Sequence, residues 1–160
     1  MKTNIDISKL WDTFTPKLYG YLMYILKDQA LADDVLQNTW LKAIEALPGF
    51  EDRGFGFSAW LFAIAKNECR QYWRRSGKEI PFDEAVHDIK AVSNRQQEDT
   101  ILVEQILAKV SKEDRELVSL RYIADLSLND IAKVLKINPI AVRVRMHRAM
   151  NNLKQIVKNE

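Results

Sequence analysis

From Ser127 to Lys154 the chain keeps helical spacing on both sides of a single Asn-Pro pair, and few folds accept that arrangement. Leu128, Ile131, Ala132 and Leu135 recur at i, i+3, i+4 and i+7, the buried stripe of a short helix. Ser127 followed by Asp130 is a capping-box-like start, in which both side chains hold backbone N–H groups that the helix leaves free. Beyond the turn, Asn138 caps, and Pro139 occupies the first helical position, where its missing N–H costs nothing. Val142, Met146, Ala149, Leu153 and Ile156 then form an inward stripe, while Arg143, Val144, His147, Arg148 and Asn151 face outward. A short helix, a tight turn and a second helix with outward arginines predict a helix-turn-helix that reads duplex DNA. Periodicity alone fits any helical hairpin with a solvated basic face as well.

The remainder of the chain also reads as helical. Ser8 to about Lys27 spaces Leu10, Phe14, Leu18, Tyr21, Leu22 and Ile25 along one side, with Pro16 interrupting the early part. Asp28 caps a second helix, about Ala30 to Leu47, that Pro48-Gly49 stops. Its inner face is Ala32, Val35, Leu36, Thr39 and Ala43. Leu41 falls on the opposite side, among Asp34, Gln37, Asn38 and Glu45, where a large apolar residue hints at a partner surface. A Gly-punctuated loop, Phe50 to Gly56, leads to a third helix, about Ser58 to Arg75. One side of it carries Phe57, Leu61, Ile64, Ala65, Glu68 and Tyr72. The other offers Trp60, Ala63, Asn67, Arg70 and Arg74: an aromatic to stack, an amide for a base edge and guanidiniums for phosphate. A short amphipathic helix spans Thr100 to Val110. Ser111 and Asp114 then open another through about Tyr122, burying Leu117, Val118 and Leu120.

Alternating strand patterns are hard to find, and glycines and prolines are few, so the expected class is all-α. A net charge of +2 says little about partners, but its distribution says more. Residues 66–78 hold five bases against one acid, residues 79–104 seven acids against two bases, and residues 139–160 five Lys or Arg against one Glu. Two basic patches separated by an acidic connector predict two anion-binding modules on a tether. The expected domains are residues 1–76 and 100–160, with a flexible acidic linker over 77–99. The single Cys69 excludes an internal disulfide framework and is expected in helix packing. No signal peptide and no bilayer-length apolar run is seen, so the expected location is the cytoplasm, without membrane insertion.

Three stretches carry a family resemblance. LSLNDIAKVLKINPIAVRVRMHRAMNNLK resembles the last conserved region of bacterial sigma factors of the extracytoplasmic-function group, with Ile131-Ala132, a turn and the run AVRVRMHRA. ADDVLQNTWLKAIEAL and FSAWLFAIAKNECRQYWRR resemble the second conserved region of the same family. The resemblance implies sigma region 2 followed by sigma region 4, and a transcription initiation factor that is not an enzyme and needs no cofactor or metal. It implies binding to core RNA polymerase, at the clamp helices of the largest subunit, through Asp34, Gln37, Asn38, Trp40 and Leu41. Asn67 lies at the mouth of a pocket for a base flipped from the minus-ten element, with Arg53, Phe55 and Phe57 in or beside the capturing loop and Arg70 and Arg74 on the same face. On the same resemblance Arg143, Val144, His147 and Arg148 would enter the major groove of the minus-thirty-five element, and Lys154, with Arg145, would help at phosphates or in packing. An anti-sigma partner is implied by the resemblance only. Four residues depart from the pattern, one being Gln71, near a position often held by Asp. Lys136 replaces a turn glycine and must take φ > 0. Asn38 replaces an acid. Val144 replaces a small polar residue and leaves the base preference open.

Rival functions leave different traces. The chain has no P-loop, dinucleotide fingerprint or H-E-x-x-H, and His87, His147 and Cys69 lack the spacing of a metal or nucleophile site. An ordinary helix-turn-helix regulator needs neither the 34–41 surface nor the 60–74 face. An interaction module that only sequesters an anti-sigma protein remains a third reading.

Overall fold

The structure, a computed structural model, describes residues 6–51, 56–77 and 105–159. The described residues are helical, without strands, as the composition predicts. The first half is a three-helix unit. In α1 (Ile7–Leu26), the Asp6 carboxylate accepts from the backbone N–H groups of Ser8 and Lys9, and Pro16 is absorbed within the helix. The chain leaves α1 through Lys27 at φ 54°, whose N–H donates to the carbonyl of Met23. Asp28 then caps α2 (Gln29–Ala46), which runs into the 3-10 turn Leu47–Gly49. The third helix, α3 (Phe57–Ser76), ends at Gly77, at φ 66°. A side chain at that left-handed terminus would be strained, so glycine is the natural stop.

The second half begins with a helical turn at 105–108 and continues into α4 (Lys112–Val118), where Ser111 accepts from the N–H of Asp114. A π-helical stretch, Ser119–Ile123, extends α4, with the N–H of Ala124 reaching back to the carbonyl of Ser119. Arg121 donates to the carbonyl of Leu126 and holds the following bend. Helix α5 (Leu128–Leu135) and helix α6 (Pro139–Lys158) make the helix-turn-helix. Ser127 accepts from Asp130 N–H, Asn138 accepts from Ile140 N–H, and Lys136 adopts φ 57°, as the caps and the missing turn glycine require.

Burial follows the apolar stripes. Leu18, Tyr21 and Leu22 of α1 meet Leu61 and Phe62 of α3, and Tyr21 stands edge-on to Phe62 at 5.6 Å between ring centres. Ile131, Ala132, Val142, Met146 and Ala149 seal the helix-turn-helix. Helix α3 buries more of its surface than one stripe predicts. Ala59, Cys69 and Trp73 are buried beside Leu61, Phe62 and Ala65, because α2 packs on α3 from one side and α5 from another.

That double packing unites the halves. Helix α5 lies along α3, the π-helical stretch lies against α1, and the buried residues of both halves form one hydrophobic core. Lys66 of α3 pairs with Glu116 of α4, and Lys17 of α1 with Asp125 at 2.9 Å. A methyl group on Gly20 would sit 3.9 Å from Ile123, an ordinary van der Waals contact. The sequence leaves the relative placement of the two modules open; the described halves rest directly on one another. The expected linker, apart from Gly77, lies outside the described residues, as does Thr100 to Glu104.

Candidate nucleic-acid interface

Helix α6 presents the clearest candidate. Its buried stripe turns Arg143, Val144, His147, Arg148 and Lys154 to solvent, and all five are exposed. The helix itself carries no acidic residue, and Glu113 and Asp114 of α4 border its Arg145 and Arg148. A helix with its outward turns exposed and its back sealed on α5 has the form needed to enter a major groove, where side-chain donors meet base edges and cations meet phosphate.

The face of α3 is more mixed. Asn67, Arg70 and Arg74 are exposed and share one side of the helix at i, i+3 and i+7. Lys66, on the neighbouring line, is already engaged by Glu116 of the other half, its side chain only 15% exposed. Phe57, expected in or beside a capturing loop, stands where that stretch gives way to helix. It opens α3, and its ring lies 5.3 Å from Phe14, 5.8 Å from Phe50 and 5.5 Å from Trp60, within an aromatic cluster that buries most of its surface area. Trp60 is half-buried against Phe50 at 4.9 Å. Arg53 and Phe55 lie outside the described residues.

On α2, Asp34, Gln37 and Asn38 are exposed, and Leu41 stands 59% exposed. Trp40 is a correction. It is 3% exposed, and its ring lies 5.0 Å from Trp11, so it supports the surface from beneath and cannot be offered to a partner. Ile44, 42% exposed one turn after Leu41, extends the apolar ridge instead. The i, i+3 spacing of Leu41 and Ile44 was the available signal. Trp11, 40% exposed, adds a ring that only the α1–α2 packing brings to Trp40.

Two buried groups of α3, Cys69 and Glu68, lie side by side. Burial, with a smaller contribution from neighbouring Glu68, pushes the Cys69 thiol up to about 12, so the sulfur stays protonated and inert. Glu68 itself is buried and paired with Lys42 of α2. Among the described residues no group of His, Cys, Asp and Glu has the arrangement of a metal site, and no helix is long and apolar enough to cross a membrane.

Comparison with known proteins matches residues 10–79 to the family model "Sigma-70 region 2" and residues 100–153 to "Sigma-70, region 4". The chain is 26% identical to the extracytoplasmic-function sigma factor BldN of Streptomyces coelicolor, over 95% of this chain and 60% of BldN. It is 24% identical to the RNA polymerase sigma factor SigZ of Bacillus subtilis, over 96% of this chain and 88% of SigZ. With SigD of Mycobacterium tuberculosis the identity is 31%, over 77% of this chain and 61% of SigD. The solved structure of CnrH in complex with the cytosolic domain of CnrY superposes with a TM-score of 0.68 at 26% identity, covering 96% of this chain and 88% of CnrH. The fold is also that of the sigma factor RpoE of Bartonella quintana, solved with the anti-sigma factor NepR, at a TM-score of 0.68, 24% identity and coverage of 96% and 97%.

Proposed function

This chain belongs to the extracytoplasmic-function group of RNA polymerase sigma factors, initiation factors that direct the polymerase to promoters, and on that footing we propose how its residues divide the work. The single observation that carries the reading is the coexistence of two exposed faces of different chemistry. One is the acid-free cationic face of α6, the other the Leu41–Ile44 ridge of α2, and a plain duplex-binding regulator has no use for the second.

In this reading residues 1–76 dock on core polymerase and handle the minus-ten element, and residues 100–160 read the minus-thirty-five element. Arg143, Val144, His147 and Arg148 face base edges and phosphates of the duplex, and Lys154 adds a phosphate contact further along α6. Asn67, Arg70 and Arg74 receive the separated strand, in which phosphate contacts and a hydrogen-bonded base offset an unstacking cost of a few kcal/mol. Leu41 and Ile44, flanked by Asp34, Gln37 and Asn38, form the polymerase dock, an apolar centre with a polar rim. The polymerase performs the catalysis; this chain supplies recognition and strand capture in the cytoplasm. An anti-sigma protein is the further partner proposed, supported by the relatives solved as complexes.

Reconstitution tests the proposal directly. Purified chain mixed with core polymerase should co-elute with it and start run-off transcripts from a selected promoter. Leu41→Asp should abolish co-elution while leaving the helical content and thermal midpoint intact, since the residue is exposed. Wild-type affinity in that variant would remove the ridge from the dock.

A further inference from the structure

The first two turns of α6 carry an unusual exposed pair. Ile140 is 68% exposed and Val144 50% exposed. At i and i+4 their side chains adjoin, and Ala141 lies half-buried beside them. Together with Asn138, Arg145 and Arg148 they line one shallow cleft on the outer side of the helix. Isolated exposed apolar residues need no explanation, but here two β-branched side chains adjoin on a face whose charged residues are all cationic. The occupant must offer apolar groups and negative charge within a few ångströms of one another. In the major groove of duplex DNA only one base edge does so, thymine, whose C5-methyl lies in the groove between phosphate backbones.

We infer that Ile140 and Val144 read thymine C5-methyl groups in the minus-thirty-five duplex, so promoters of this chain carry thymine opposite the first two turns of α6. The inference rests on α6 being the minus-thirty-five reader and adds the substrate preference of that site. Arginines set register and strength, while the aliphatic pair selects by methyl contact. Covering one methyl between two aliphatic side chains changes affinity about four-fold.

The test uses holoenzyme and a duplex promoter that the holoenzyme itself selects from a pool randomised in the minus-thirty-five element. Selected sequences should contain thymine at one or more fixed positions, on either strand. Replacing each by deoxyuridine removes the methyl and leaves the pairing and hydrogen-bonding edges unchanged. At least one replacement should weaken binding by about four-fold in the wild type. That penalty should vanish in Val144→Ala or Ile140→Ala and persist in Val144→Thr, which keeps a methyl group at the same place. Selected promoters without fixed thymine overturn the inference, as does deoxyuridine being neutral at every position in the wild type or a penalty undiminished in both alanine variants. Arg148→Ala tells this failure from the larger one. If Arg148→Ala weakens the footprint while deoxyuridine is neutral, α6 reads the duplex without the methyl contact. An unaltered footprint in Arg148→Ala removes α6 from the groove altogether.

Discussion

The outward faces of α6 and α3 are built from similar residue types, yet they stand in different conditions. On α6 every predicted contact residue is exposed, with Glu113 and Asp114 of α4 bordering Arg145 and Arg148 across a cleft. On α3 the exposed line Asn67, Arg70 and Arg74 runs beside Lys66, which the other half has already claimed through Glu116, and α5 packs along the same helix. The outward residues of α6 are thus open to solvent, whereas α3 is partly covered by the other half. The two promoter elements lie about 25 base pairs apart by their names, roughly 85 Å at 3.4 Å per base pair. On the proposed assignment, with α3 at one element and α6 at the other, the direct contact of α3 with α5 would have to open for both elements to be reached at once.

The largest effect should come from preventing that separation. Gly20→Cys with Ile123→Cys, joined by a short cleavable thiol crosslinker, ties α1 to the π-helical stretch where they touch. Cys69 will not compete, being buried and held as the thiol. Promoter-dependent transcription should fall to background in the tied protein and return when the link is cleaved. Full transcription with the link intact would show that the halves act while packed. Next in size is the contrast between the faces themselves. Arg148→Ala should weaken holoenzyme footprints at the minus-thirty-five element by roughly 5- to 150-fold, the range for loss of one well-placed arginine contact. Asn67→Ala should leave that footprint unchanged and reduce permanganate reactivity at the minus-ten element. Equal damage to both signals by either variant would erase the distinction.

A subtler sharpening uses the ion pair that unites the halves. Glu116→Gln leaves the Lys66 ammonium, 15% exposed, without its counter-charge and should cost about 1–3 kcal/mol of stability. If the pair holds α3 closed, the thermal midpoint should drop while strand opening at sub-saturating holoenzyme rises. A drop in both would make the pair a plain stabiliser with no bearing on α3.

Sequence reading succeeded where a short stretch of chain decides the outcome. The Ser127 and Asn138 caps, the left-handed Lys136 and the α6 stripe all depend on residues within one or two turns. It fell short where distant elements decide. The resemblance offers Trp40 to the polymerase, but Trp11 of α1 packs against it. The spacing puts Phe57 beside a loop and on one side of α3, but does not show that the rings of Phe14, Phe50 and Trp60 converge on it from other positions. The union of the halves rests on pairs such as Lys66–Glu116, fifty residues apart, for which no period or cap leaves a local mark. Ile44 is the intermediate case, with a signal in its spacing from Leu41 that becomes evident only once its exposure is known.

The smallest expected effect belongs to the second ion pair, and it separates charge from backbone geometry. Asp125 sits at φ 57°, a conformation that Asn tolerates as well as Asp, so Asp125→Asn removes only the charge. The Lys17 ammonium, hydrogen-bonded to its carboxylate, holds that carboxyl below the usual range. A lowered value means that the contribution is fully present above the ordinary aspartate pKa near ~3.9 and is lost as pH falls through the lowered one. Between pH 5 and 8 the wild type and Asp125→Asn should therefore differ by a constant small shift in thermal midpoint, which shrinks in strong acid. Both partners are well exposed, at 43% and 64%, so added salt should shrink the same shift, while the more enclosed Lys66–Glu116 pair should respond less. A midpoint difference that grows with pH across the neutral range would mean that another group titrates at this contact. Equal salt sensitivity of the two pairs would mean that Lys66 is no better shielded than Lys17, and that α3 is less covered than its packing against α5 indicates.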